Sequence, residues 1–314
     1  MKDGFLLIDK PAGFTSFDVI ARLRRLLNTR KIGHGGTLDP NVTGVLLILV
    51  GRATRAVDLI QRQDKAYEAC IRLGVETDTQ DIWGTVLAER APELSVERIQ
   101  RTIESFCGEQ LQLPPMYSAL KINGVRLYDL ARQGKQVQRR QRPIKIYKIS
   151  FLGSTEQPNE YRFALHCSKG TYVRTLCADI GSELGCGACM SALRRTASHG
   201  FSIEQCVTLQ QVEAAAAEGR ADELLRPVRD LFYDLPPIRL SEKQTFLYRN
   251  GVGLDPARVP GVLYDSVYPV ADFQQYTVYG ADGVFLGIGQ VDYDRREFRS
   301  IKMFISEENG DEEA

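Results

Sequence analysis

Gly33-His34-Gly35-Gly36-Thr37-Leu38-Asp39-Pro40-Asn41-Val42-Thr43-Gly44 runs without a break into Val45 to Val50, a purely aliphatic stretch. No other segment restricts the fold as strongly. Three glycines within Gly33 to Gly36 let the backbone take positive φ or approach a ligand closely, and Pro40 fixes the chain just after the Asp39 carboxylate. The aliphatic run is far too short to span a membrane and reads as a buried strand. Asp39 is thereby expected on a loop leading into a rigid strand. The same residues also suit a plain turn built on Asp-Pro chemistry. A nucleoside-triphosphate cradle is disfavoured, because neither G-x-x-x-x-G-K-[ST] nor G-x-G-x-x-G occurs.

Short apolar runs alternate with helical patterns over the first two-thirds of the chain, which predicts a mixed α+β or α/β core. Thr15 and Asp18 form a capping-box start for a helix reaching about Asn28, with Val19, Ile20, Leu23, Leu26 and Leu27 on one face. Ser95 caps a second helix with Val96, Ile99, Ile103 and Phe106 at helical spacing, and Gly108 ends it. Further helices are predicted near 53–61, 126–133, 174–184 and 208–217. Strands are predicted at 4–9, 45–50, 66–73, 144–152 and 161–167. Near Asp234-Leu235-Pro236-Pro237 the pattern changes to short Val, Tyr and Phe-rich segments punctuated by glycine, which predicts a small β-rich unit ending near Ile305. The expected division is 1–237, 238–305, and an acidic disordered tail over 306–314.

The chain has 314 residues, enough for two domains, and 43% are apolar, enough for a substantial core. Forty Lys and Arg balance forty Asp and Glu, so net charge points to no partner. The distribution is more informative. Lys121 to Lys148 holds nine basic residues against the single acid Asp129, Val19 to Lys31 holds five and no acid, and acids gather in Glu307 to Glu313. Such segregation fits either a basic face for a phosphate backbone or separate solvated helix faces. Phe5-Leu6-Leu7-Ile8 is too short for a signal-peptide core, and seven cysteines fit reduced thiols in a cytoplasmic protein. Cys186 and Cys189 form a lone C-x-x-C below His166-Cys167; without a second ligand pair they read as buried small thiols, with no metal.

Three further segments combine aromatic and basic residues. They are Lys65-Ala66-Tyr67-Glu68-Ala69, Pro114-Pro115-Met116-Tyr117-Ser118-Ala119-Leu120-Lys121 and Ser168-Lys169-Gly170-Thr171-Tyr172-Val173-Arg174-Thr175. Each alone is compatible with ordinary packing or a surface pair. Together and in this order, from about Gly4 to Phe201, they resemble the bacterial tRNA pseudouridine-55 synthase family, known as TruB. The shared motifs are G-F-L-L-I-D-K-P-A-G-x-T-S, G-H-x-G-T-L-D-P, L-P-P-M-Y-S-A-L-K, L-Y-x-L-A-R-x-G, S-K-G-T-Y-V-R-T-L and L-R-R-T. Gly35 stands where that family usually has Thr, so backbone flexibility is expected in place of a side-chain contact. The segment from Leu240 to Phe304 is similar to the small RNA-binding PUA domain that follows the catalytic domain in the family.

The resemblance implies a catalytic domain on a mixed, largely antiparallel sheet flanked by helices. It implies isomerisation of uridine 55 in the T loop of tRNA, with no cofactor. Asp39, a carboxylate at neutral pH, would be nucleophile or sugar base. Arg174 would lie beside it, and Tyr67 would stack on the target base; a phenol of pKa about 10 is a poor base unaided. The base must be extruded from folded RNA, with His34 filling the vacated space or merely capping the glycine-rich turn. Gly36, Tyr172 and Leu193 would line the pocket, and Lys121, Arg139, Arg140 and Arg142 would track phosphates. The expected partner is the tRNA T arm, with no membrane and no guide RNA, and the protein is expected to be a monomer. A tRNA-binding protein without chemistry and a guide-RNA-dependent isomerase are the competing readings.

Overall fold

The computed structural model describes residues 3–60, 64–118, 120–122, 124–135, 137–264 and 274–305. The expected disordered tail over 306–314 lies outside these residues. Among the described residues the main unit is a nine-stranded mixed sheet. Its continuous path runs Gly4–Lys10, Thr43–Val50, Ala188–Ser198, Lys65–Leu73, Glu160–Cys167, Arg142–Ser154 and Gly108–Gln112. Neighbours on this path are antiparallel except Thr43–Val50 beside Ala188–Ser198, which is parallel.

The aliphatic run is explained by burial on two sides. Leu46, Ile48 and Val50 face a core with Val19, Ile20 and Leu23 of the helix Ser16–Leu26 and Leu209 and Val212 of Leu209–Ala217. Val45, Leu47 and Leu49 face a second core with Phe5, Phe201, Leu231 and Phe232. A strand covered on both faces loses the apolar-polar alternation, and only continuous apolar sequence fits it. Helices Val96–Ser105 and Val173–Leu184 complete the first core through Ile99, Ile103, Leu176 and Ile180.

Most sequence expectations for this unit match the structure. Thr15 and Asp18 form the capping box of Ser16–Leu26, and Ser95 accepts from the Arg98 N–H at the start of Val96–Ser105. The 53–61 helix is instead a 3-10 turn, Gly51–Ala56, followed by one short α-turn, Val57–Ile60. The largest omission is Ala188–Ser198, a central strand. Register shifts between Met190 and Ala192 and between Arg195 and Ala197 interrupt its period-two pattern, so its sequence does not alternate.

The chain then forms a four-stranded sheet ordered Pro237–Arg239, Gln275–Tyr279, Phe285–Asp292 and Glu297–Met303, with helix Glu242–Arg249 against it. Its core is Tyr248, Tyr276, Val278, Leu286 and Phe298. Phe285 and Phe304 stack on one another and both meet Phe232, so this β-rich unit is anchored to the back of the main sheet. No helix among the described residues is long and apolar enough to cross a membrane.

Candidate active site

Asp39 lies between the short strand Ile32–His34 and Thr43–Val50, on a loop tied down from three directions. The Leu38 N–H donates to Ser16 Oγ at 2.9 Å, and that hydroxyl donates to Leu38 O at 3.2 Å. Lys10 is fully buried, and its Nζ donates to Pro40 O at 2.8 Å, Phe14 O at 2.6 Å and Pro11 O at 2.9 Å. Burial pulls the Lys10 ammonium down to about 8, opposed by the nearby Asp39 charge. The Val42 N–H closes the loop onto Asp39 O at 3.1 Å. These bonds fix the backbone while the Asp39 side chain stays 48% exposed, available to a ligand.

Arg174 begins the helix Val173–Leu184 and is only 7% exposed. Its Nη2 stands 3.2 Å from Asp39 Oδ2 and donates to Tyr117 O at 2.9 Å. Its Nη1 donates to Thr79 O at 3.1 Å and lies 3.4 Å from Asp81 Oδ2. Burial raises the Asp81 carboxyl, while Thr79 and Arg174 oppose the shift. The guanidinium fork therefore spans two carboxylates and two carbonyls, an arrangement that a lysine could not copy.

Tyr67 is 8% exposed on Lys65–Leu73, and Arg195 is its register partner on the neighbouring strand. Burial raises its phenol above the ordinary value, against the pull of the Arg195 charge, so the resting side chain is neutral. His34 is half-buried with a buried Nδ1 that has no partner, and burial followed by Arg195 lowers its pKa. Gly36 O lies 3.5 Å from Arg195 Nη2. Gly35 is buried, its N–H donates to Leu47 O at 2.9 Å, and a Cβ there would meet Leu47 Cδ2 at 2.9 Å. Leu47 and Ile60 thus fill the space of a larger side chain, and Gly35 is a packed position tied into the strand.

Tyr172 is the N-cap of the Arg174 helix, and Gln112 holds its backbone from both sides, accepting from Tyr172 N at 2.8 Å and donating to Tyr172 O at 3.1 Å. Leu193 lies across from Ala69 on the next strand and packs on the main core. The basic residues divide. Arg140 and Arg142 are exposed, whereas Arg139 turns inward, with Nη1 donating to Pro114 O at 2.8 Å and a buried, unpartnered Nε. The Lys121 side chain and Ala119 lie outside what is described.

Sequence reasoning passed over Lys10, Ser16, Asp81, Gln112 and Arg195. Three of them stand inside the shared motifs, Lys10 in D-K-P, Ser16 at the end of G-x-T-S and Arg195 in L-R-R-T, but nothing local marks a lysine or arginine as buried. Cys186 and Cys189 are buried, and among the described residues no cluster of three or more His, Cys, Asp or Glu is placed to hold a metal.

The sequence profile of the TruB family pseudouridylate synthase N-terminal domain matches residues 24–173, and that of the tRNA pseudouridylate synthase B C-terminal domain matches 174–232. The chain belongs to the TruB family. It is 44% identical over 274 residues to tRNA pseudouridine synthase B of Geobacillus thermodenitrificans, covering 85% of this chain and 90% of that one. It is 40% identical over 310 residues to the protein of the same name from Lachnoclostridium phytofermentans, covering 96% of this chain and all of the other. Among solved structures, a Cbf5-Nop10-Gar1 complex contains a chain with TM-score 0.71 and 25% identity, covering 96% of this chain and 85% of that chain.

Proposed function

We propose that this chain, acting as a cytoplasmic monomer without guide RNA, converts uridine 55 in the T loop of tRNA to pseudouridine. The observation that carries the reading is the pairing of Asp39 Oδ2 with Arg174 Nη2 at 3.2 Å, within a TruB-family chain whose relatives bear the name tRNA pseudouridine synthase B. The bond from C1′ to N1 of the base breaks, the base turns, C5 joins C1′, the C5 proton leaves and N1 takes up a proton. No electrons are lost or gained, so the step needs no redox partner.

Asp39 acts at the target nucleotide, oriented by Arg174. Tyr67 stacks on the extruded base, His34 fills its place in the RNA, and Gly36, Tyr172 and Leu193 line the pocket. Lys121, Arg140 and Arg142 meet phosphates; Arg139, engaged with Pro114 O, orders the neighbouring turn instead. Residues 238–305 act as a PUA-like RNA-binding unit after a catalytic domain ending at 237. The test is to incubate the purified chain alone with unmodified tRNA and map pseudouridine. Product at position 55 supports the reading. Binding without product would leave an RNA-binding protein, and product only on adding a guide RNA would make the enzyme guide-dependent.

A further inference from the structure

Arg195 carries a charge that the reaction above leaves unused. It is 1% exposed, and among the described residues its ion-pair partners include no carboxylate. Its Nε donates to Val45 O at 2.7 Å, Nη1 reaches Thr37 O at 3.5 Å and Nη2 reaches Gly36 O at 3.5 Å, and the Tyr67 phenol feels its charge. Burying a guanidinium without a carboxylate is costly, and an apolar side chain would fill the same space more cheaply. The backbone explains why the cation reaches both catalytic elements. Arg195 is the register partner of Tyr67 in the antiparallel pair and of Gly44 in the parallel pair, and the bulge that follows it re-aims the chain at that point. The charge is felt around it, since it helps depress the pKa of His34, Lys65 and His199.

We infer that Arg195 is a positioning residue that ties the Asp39 loop to the strand carrying Tyr67 and sets an uncompensated positive charge behind the pocket. The inference rests on the proposed isomerisation. When the bond from C1′ to N1 breaks, its electron pair stays with the uracil until C5 attacks C1′. A fixed cation in a water-poor wall lowers the energy of that negative base without touching it. Tyr67, opposite Arg195 on the neighbouring strand, keeps the plane on which the base turns.

The experiment compares Arg195→Lys and Arg195→Met with the unmodified protein, each alone and combined with Tyr67→Phe. Single-turnover rates at saturating tRNA and affinities from filter binding are measured together. Arg195→Lys is expected to slow the single-turnover rate about tenfold or more while changing the Kd less than about twofold, with Arg195→Met slower still because the charge is gone. The cost of Arg195→Lys should shrink when Tyr67→Phe has removed the hydroxyl, since the two act as a unit. Unchanged rates, a loss appearing in Kd alone, or equal costs with and without the hydroxyl would overturn the inference. Failure of Arg195→Lys to give a native circular-dichroism spectrum would overturn it too, making Arg195 a folding residue. Turnover by the unmodified protein is the control: its absence counts against the proposed isomerisation itself.

Discussion

Asp39 Oδ2 and Arg174 Nη2 stand 3.2 Å apart, with the arginine buried and the carboxylate half exposed. The asymmetry sets the roles: a rigid cation can aim a carboxylate that remains free to meet a nucleotide. Arg174→Lys should therefore lose most activity, about a hundredfold or more, because an ammonium cannot bridge Asp39, Asp81 and two carbonyls at once. An unaltered single-turnover rate would show that the pairing is dispensable.

Asp39→Ala and Asp39→Asn should abolish conversion and leave tRNA affinity nearly unchanged, one carboxylate being small beside many phosphate contacts. Tritium placed at C5 of the substrate uridines gives the sharper measurement. Once C5 bonds to the sugar, its original hydrogen must leave before aromatic character returns, so label should enter water one-for-one with product and not at all in the Asp39 variants. Product without release would contradict the carbon–carbon bond.

Gly44 is required by both angle and space. Its φ is +103°, and a Cβ there would sit 2.2 Å from the Arg195 carbonyl oxygen. Gly44→Ala should cost more than about 2 kcal/mol in chemical denaturation and lower activity in the folded fraction, because the parallel pair joining Gly44 to Arg195 must open. A stability equal to wild type would mean that the pair is not held as described.

His199 is buried with Ser198 Oγ at 2.8 Å from its Nδ1, and burial followed by the Arg195 and Lys65 charges lowers its pKa from 6.5 to about 3. Because the folded value is the depressed one, the unfolded chain binds the extra proton. The neutral ring's contribution is thus complete above about 6.5 and is lost as pH falls from there towards about 3. Melting temperatures across that window should decline, and His199→Gln should flatten the decline. A parallel decline in the variant would assign it to other groups.

Arg140 and Arg142 are exposed, so replacing each by Gln should reduce the slope of log affinity against log salt by roughly 0.7–0.9 for every phosphate that is no longer neutralised. Arg139→Gln is expected to act differently, loosening the turn at Pro114 with less effect on the salt slope. Equal slopes for all three variants would erase the distinction.

Local chemistry made much of this protein legible. Thr15 and Asp18 disclosed a capping box, Val45 to Val50 a buried strand, and the Asp39 and Arg174 motifs a family. The central strand Ala188–Ser198 was not legible, since two bulges and the pair Arg194-Arg195 conceal its period. Arg139 reads in sequence as one more surface cation; its engagement with Pro114 O depends on where a distant turn folds back.

What sequence by itself determined was set within a few residues: helix starts, strand composition, the glycine loop and the aspartate it presents. Which buried cation meets which carbonyl was decided only by tertiary structure. Lys10 reaches Pro40, Gln112 grips Tyr172 and Arg195 spans Gly36, Thr37 and Val45, each across long stretches of chain. The physical reason is that a charged side chain looks the same in sequence whether solvated or buried. Its energy is fixed by the groups that surround it, and those are assembled only when the strands pair.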